Sequence, residues 1–282
     1  MVNIEVKPLS NACGAEILGM DLTKPITQEL AFEINAAWLK HCVVLIRGQN
    51  PTGEEQISFC EAFGTVGDYL RPGSLRSQTM KERHRAVMFV SNVLENGEPI
   101  GTLPDGEMMF HTDTGYDQKP HKATTLCAIE IPDQGGNTIF SNQYMVFDAL
   151  PKRLKHLLRN KKAKNSYEFG TMIKTQKTYS GKNIRSAIHP TIRKHTETGR
   201  LAVYVNELMT EEIIGLPSQV SRDVLEEIYL LQKESKFCYE HVWQVGDLIM
   251  WDNRCTLHAR TNFPSNQRRL LRRVTIEDSA LN

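Results

Sequence analysis

Val2-Asn3-Ile4-Glu5-Val6 alternates apolar and polar residues with a period of two, which predicts a strand with one buried face. The period then changes. Leu30, Ile34 and Trp38 recur every four residues behind Thr27, a hydroxyl placed to cap a helix. Cys42-Val43-Val44-Leu45-Ile46 is a continuous apolar run, short enough to be a strand covered on both faces. Thr52-x-x-Glu55 has the spacing of a capping box and predicts a helix ending near Gly64. Residues 67–107 are rich in Gly, Pro, Ser and charge, and read as a long loop with one strand around Val87–Val90. Loops of that length in compact domains are functional or mobile, so this one is expected to be a mobile lid.

From residue 108 onward strand patterns dominate, over 123–131, 137–140, 201–205, 247–251 and 271–276. Two helices interrupt them. Asp148–Leu158 puts Leu150, Leu154, Leu157 and Leu158 on one face, and Ser221–Lys233 does the same with Val224, Leu225, Ile228 and Leu231. The basic stretch from Lys152 to Lys164 reads as a solvated helix face and the loop after it. No repeat, low-complexity tract or linker divides the chain, so 1–282 reads as one domain. Short strands separated by turns, with a few helices around them, predict a mainly β fold: a barrel or jelly roll with peripheral helices.

Composition narrows the function. A chain of 282 residues, 40% hydrophobic and 24% charged, is ordinary globular material with a sizeable core. A formal net charge of +1 gives no field to recruit nucleic acid. The six cysteines form no CxxC pair and sit mostly among apolar neighbours, as buried reduced thiols do. The first residues lack the apolar stretch of a signal peptide, and no run reaches the length of a membrane span. The expectation is a cytoplasmic protein acting on a small soluble molecule, with no nucleic-acid or membrane partner; a homo-oligomer stays open.

The chemistry concentrates in two places. In Phe110-His111-Thr112-Asp113, an extended backbone would point His111 and Asp113 the same way, toward one metal. A third ligand must come from elsewhere, and His258, beyond the apolar run Leu248-Ile249-Met250-Trp251, is the candidate. Two histidines and a carboxylate with open positions form the facial triad of non-haem Fe(II) oxygenases. By itself HxD is a weak signal, equally compatible with a core hydrogen bond. Eleven residues after His258 comes Arg269, in Gln267-Arg268-Arg269-Leu270-Leu271-Arg272-Arg273-Val274-Thr275-Ile276. A guanidinium on an otherwise apolar strand needs an anion, and a carboxylate matches it best. A solvent-facing edge strand would explain the same run.

Taken together, GMDLTKPIT at 19–27, VVLIRGQ at 43–49, FHTDTGY at 110–116, GGNTIFSN at 135–142, HPTIRKHTETGRLAVYVN at 189–206, WQVGDLIMWDNRCTLHAR at 243–260 and QRRLLRRVTI at 267–276 resemble the taurine dioxygenase / dichlorophenoxyacetate dioxygenase family of 2-oxoglutarate-dependent oxygenases. The resemblance covers nearly the whole chain. It implies a double-stranded β-helix (jelly roll) with Fe(II) held by His111, Asp113 and His258, and 2-oxoglutarate and O₂ as co-substrates. It also implies that Thr138 and Arg269 bind the far carboxylate of 2-oxoglutarate, that Trp251 is an aromatic near the metal, and that Arg273 matches an arginine facing an anionic substrate head. The implied reaction releases succinate and CO₂ as the substrate is oxidised. Residues 67–76 and 103–110 depart from the taurine enzyme, which argues against taurine itself; Tyr69, Arg71, Met109 and Tyr116 are candidate pocket residues. A zinc-type hydrolase on the same ligands would have no use for Thr138 and Arg269. A non-catalytic jelly-roll binding protein would have no use for three ligands on separate segments.

Overall fold

The computed structural model describes residues 4–67, 85–102, 106–167, 169–174 and 184–278. Two sheets carry the fold. The larger has seven strands in the order Glu5–Pro8, Ala15–Leu18, Val43–Ile46, Leu248–Asp252, Ala123–Glu130, Leu270–Ile276, Met88–Ser91. The smaller has four, in the order Cys238–His241, Thr138–Asn142, Thr256–Arg260, Met108–His111. This is the expected jelly-roll arrangement of strands with helices outside.

The continuous apolar runs lie at the centre of the larger sheet because both of its faces are covered. Val43–Ile46 and Leu248–Asp252 are buried at every position. Val44, Ile46, Leu248, Met250, Val274 and Ile276 pack under the helices Gln28–His41 and Gly53–Glu61. The alternate positions Val43, Leu45, Ile249, Trp251 and Leu271 turn inward, toward Phe140 of the smaller sheet. Each such aliphatic side chain withdrawn from water contributes about 1.5–3 kcal/mol, so the sandwich itself holds the site rigid.

Both predicted caps are present. The Thr27 hydroxyl accepts the amide of Leu30, and Cys42 ends that helix in the left-handed region with its N–H on Trp38 O. Thr52 and Glu55 close the reciprocal capping box. The expected helix Asp148–Leu158 is instead two, Gln143–Ala149 and Lys152–Leu158. Pro151 lacks an amide hydrogen and forces the preceding Leu150 out of helical geometry (ψ 133), which breaks the chain of bonds there. Part of the basic stretch is a strand, Lys162–Ser166, paired with Ser186–Pro190 and Thr210–Ile213. Its outward Lys164 bonds Glu211 at 2.8 Å.

Of the segment expected to form a lid, residues 68–84 and 103–105 lie outside the described residues. The strand Met88–Ser91 is bonded along its length to Leu270–Ile276, so that part belongs to the sheet, and Leu94–Glu95 pairs with Glu98–Pro99 as a small hairpin. Among the described residues no helix is long and apolar enough to cross a membrane. The six cysteines are free thiols.

Candidate metal and co-substrate site

His111 is the last residue of Met108–His111, and Asp113 sits just past it. His258 lies on Thr256–Arg260, directly opposite His111 in the ladder. Backbone pairing therefore joins two histidines from distant sequence, and the turn at 112–113 brings the carboxylate up to them. One ligand atom from each of the three lies within 4.8 Å of the others. The imidazole centroids are 4.1 Å apart, and His258 Nε2 is 4.0 Å from Asp113 Oδ1. His111 Nδ1 bonds the carbonyl of Met109 at 2.8 Å, which leaves Nε2 as the free ligand atom. Phe140 stacks beside His258 at 6.4 Å and Trp251 at 4.7 Å, walling the ring in.

Asn253 organises the carboxylate. Its side-chain oxygen accepts from Trp251 Nε1 at 2.9 Å and from the amide of Asp113 at 3.3 Å; its NH₂ donates to Thr124 Oγ1 at 3.0 Å. Thr124 in turn donates to Asp113 Oδ2 at 2.5 Å. With Oδ2 held, Oδ1 is the oxygen that faces His258. The same Oδ1 lies 2.9 Å from Arg273 Nη2. Burial would raise the Asp113 carboxyl, but Arg273, His258 and His111 overcome it and hold it well below the usual carboxylate range. Burial pushes His258 down to about 3 and lowers His111 as well, so both imidazoles are neutral, as metal ligands must be. A trio of two neutral imidazoles and one ionised carboxylate fits a divalent, oxygen-activating metal.

A second feature is a buried arginine against the Gly136 backbone. Arg269 is 2% exposed, and among the described residues its Nε and Nη1 have no hydrogen-bond partner, while Nη2 donates to the carbonyl of Gly136 at 3.1 Å. Gly136 adopts φ +67, and a Cβ there would lie 3.2 Å from Arg269 Nε, so glycine is required for the close approach. Burial first, then the neighbouring Arg260 charge, bring the Arg269 guanidinium down to about 9; the charge of a bound carboxylate would offset both. Thr138 is buried, and its hydroxyl accepts from Trp243 Nε1 at 3.1 Å. Indole nitrogen can only donate, so the Thr138 proton stays available for an anion.

The other candidates divide. Arg273 is the inward member of its strand, cross-strand from Leu126, whereas Arg272 points out to Gln56 Oε1 at 2.8 Å. The strand is interior to the sheet, so the solvent-edge explanation of the arginine run does not hold. Met109 is half-buried and contributes its carbonyl to His111. Tyr116 packs edge-on against Tyr167 at 4.9 Å and under Arg185 at 5.2 Å. Tyr69 and Arg71 lie outside the described residues. Asn253, Thr124 and Arg260 went unassigned in the sequence. The one signal for Thr124 is a hydroxyl pair, Thr124-Thr125, inside a wholly buried stretch of strand. A second cluster, His195, Asp252 and Cys255, is structural: Asp252 is consumed by Arg254 (2.9 and 2.7 Å) and His195 (3.0 Å).

The model of the taurine catabolism dioxygenase TauD, TfdA family matches residues 5–275. The pentalenolactone F synthase of Streptomyces avermitilis is 30% identical, covering 94% of this chain and 90% of its own. The alpha-ketoglutarate-dependent 2,4-dichlorophenoxyacetate dioxygenase of Cupriavidus pinatubonensis is 27% identical over 99% of this chain and 100% of its own. The structure of a taurine dioxygenase from Burkholderia xenovorans superposes with a TM-score of 0.80 at 27% identity, covering 98% of this chain and 90% of that one. The chain belongs to the TauD/TfdA family of alpha-ketoglutarate-dependent dioxygenases. It is accordingly a 2-oxoglutarate-dependent non-haem iron dioxygenase, a family chemistry that uses Fe(II), 2-oxoglutarate and O₂.

Proposed function

We propose that the chain hydroxylates a small, anionic organic substrate, with His111, Asp113 and His258 holding the iron and Arg269 with Thr138 holding the far carboxylate of 2-oxoglutarate. The observation that carries the co-substrate assignment is Arg269, a deeply buried guanidinium with two nitrogens that lack partners among the described residues. An uncompensated buried cation is costly, and a bidentate carboxylate is the ligand that relieves it. Fe(II), when bound, supplies the activation of O₂ that oxidises 2-oxoglutarate to succinate and CO₂ and then the substrate.

The chain's own residues perform the rest. Thr124 and Asn253 keep the Asp113 carboxylate in one orientation, so the ligand set does not rearrange during turnover. Phe140, Trp251 and the apolar inner face exclude water around His258. Arg269 and Thr138 fix one end of the co-substrate, which limits how its reacting end presents itself. Arg273, on the strand Leu270–Ile276, supplies a positive charge next to Asp113. That charge supports an anionic substrate, as does the carboxylate in the name of the Cupriavidus relative's substrate.

The test is succinate release with Fe(II), ascorbate, 2-oxoglutarate and air across a panel of small carboxylates, sulfonates and their neutral amides or esters. Carboxylates or sulfonates should stimulate release and their neutral counterparts should not; preference for neutral members would reject the anionic class. Arg269→Ala should raise the 2-oxoglutarate requirement well over tenfold, since loss of one partner of a buried charge pair costs roughly 2–5 kcal/mol. An unchanged requirement, with iron still bound, would place the anchor elsewhere.

A further inference from the structure

Arg260 is a further buried arginine, on the strand that carries His258. It lies two residues beyond His258 on the strand Thr256–Arg260, so the two side chains leave the same face. The irregularity in that pairing is an extra residue on the Met108–His111 side, and the ladder to Thr138–Asn142 runs unbroken. In that ladder Arg260 is the direct partner of Thr138, as His258 is of Phe140. Cross-strand partners have Cβ atoms about 5 Å apart on one face, which puts Arg260 beside the hydroxyl assigned to the co-substrate. Arg260 is 7% exposed. Its guanidinium lies over the Phe263 ring at 5.5 Å and that of Arg269 at 6.0 Å, so one aromatic ring gathers both cations. Its Nη2 donates to the carbonyl of Gly106, in the chain leading into the metal-ligand strand.

We infer that Arg260 is a specificity-determining residue: with Arg269 it makes a two-cation pocket for the distal carboxylate of 2-oxoglutarate, and so selects a dicarboxylate over 2-oxo acids with a neutral tail. Two guanidinium groups in one buried neighbourhood repel each other, and a carboxylate placed between them converts that repulsion into two attractions at low dielectric. A 2-oxo acid ending in methyl gains the metal-binding end alone. The gap between the two ligands should therefore be wide in the native protein and narrow without Arg260. The inference rests on the assignment of 2-oxoglutarate to the Arg269 pocket.

Calorimetric titration of the Mn(II)-loaded protein with 2-oxoglutarate and with 2-oxopentanoate, which carries a methyl group in place of the distal carboxylate, tests it. Arg260→Gln should weaken 2-oxoglutarate about tenfold or more and leave 2-oxopentanoate within about twofold, with Mn(II) affinity unchanged. Arg260→Lys, which keeps the charge and alters the Gly106 contact, should hold 2-oxoglutarate within about threefold. An unchanged preference in Arg260→Gln overturns the inference. So does a loss in Arg260→Lys of tenfold or more, which would assign the residue to holding the Gly106 segment; this arm decides the matter if the glutamine variant does not fold. A native protein with no preference for 2-oxoglutarate would instead refute the Arg269 pocket, and with it the role of Arg260.

Discussion

At the scale of single residues the site depends on side chains that touch no ligand. Thr124 is one methyl-sized step from apolar, yet its hydroxyl joins Asn253 to the carboxylate of Asp113. Replacing it with Val keeps shape and removes one bond to a charged acceptor, a loss of about 1.5–3 kcal/mol. Thr124→Val should therefore weaken Mn(II) or Fe(II) binding by about 10–100-fold, the usual effect of removing an outer-shell partner, while the 2-oxoglutarate requirement of metal-saturated protein moves little. Metal titration followed by calorimetry checks it; native affinity in the variant would show that Asn253 alone orients Asp113. Arg273 illustrates the same dependence in reverse. The resemblance implies that it faces a substrate head, and the structure sets it 2.9 Å from Oδ1 of Asp113, a candidate metal ligand.

At the scale of elements, the helices outside the larger sheet are secured locally and matter to the site through packing. Gly53–Glu61 carries the complete Thr52/Glu55 box and covers the outer face of the strand that bears Arg273, where Gln56 bonds Thr125 at 2.9 Å and Arg272 at 2.8 Å. Thr52→Ala should lower stability by about 1 kcal/mol, the ordinary value of an N-cap. A urea unfolding midpoint should fall accordingly, with succinate production per folded molecule unchanged. A drop in specific activity at native metal content would mean that this helix also tunes the inner face. The break at Pro151 belongs to this scale as well. Four leucines at helical spacing were legible, but whether they ride on one helix or two depends on a single residue without an amide hydrogen.

At the scale of the whole molecule, burial of titratable groups between the sheets sets the acid limit of stability. Burial, aided by the charge of Arg273, pushes His121 down to about 4, and burial with His111 pushes His258 down to about 3. In the unfolded chain both titrate near about 6.5. Below that value the unfolded state takes up protons that the folded state refuses, so stability falls as pH drops from about 6.5 toward 4. Asp113 and Asp252 are held below the usual carboxylate range by Arg273 and Arg254, which adds a further loss below about pH 4, where their unfolded counterparts protonate. Urea midpoints measured with chelator present should be nearly level from pH 8 to 7 and decline steadily from 6.5 to 4.5. A midpoint that is flat through that range would mean that these histidines are solvated in the folded protein.

The sequence by itself determined what short-range physics can specify. Periodicity located the capped helices, and continuous apolar runs located the strands buried on both faces. The Phe110–Asp113 and Trp251–His258 segments together with Gln267–Ile276 carried the resemblance that proposes His111, Asp113 and His258 as metal ligands and Arg269 as a carboxylate anchor. The tertiary structure decided what depends on pairing between remote strands. His111 meets His258 because their strands are neighbours in the smaller sheet, and no local pattern encodes that register. Thr138 and Arg260 became partners in the same way. Thr124, Asn253 and Arg260 could not be assigned from the chain because each is an ordinary polar residue in an apolar surrounding. Its role exists only once burial leaves its polar atoms with the carboxylate, the amide or the second guanidinium that the fold sets beside it.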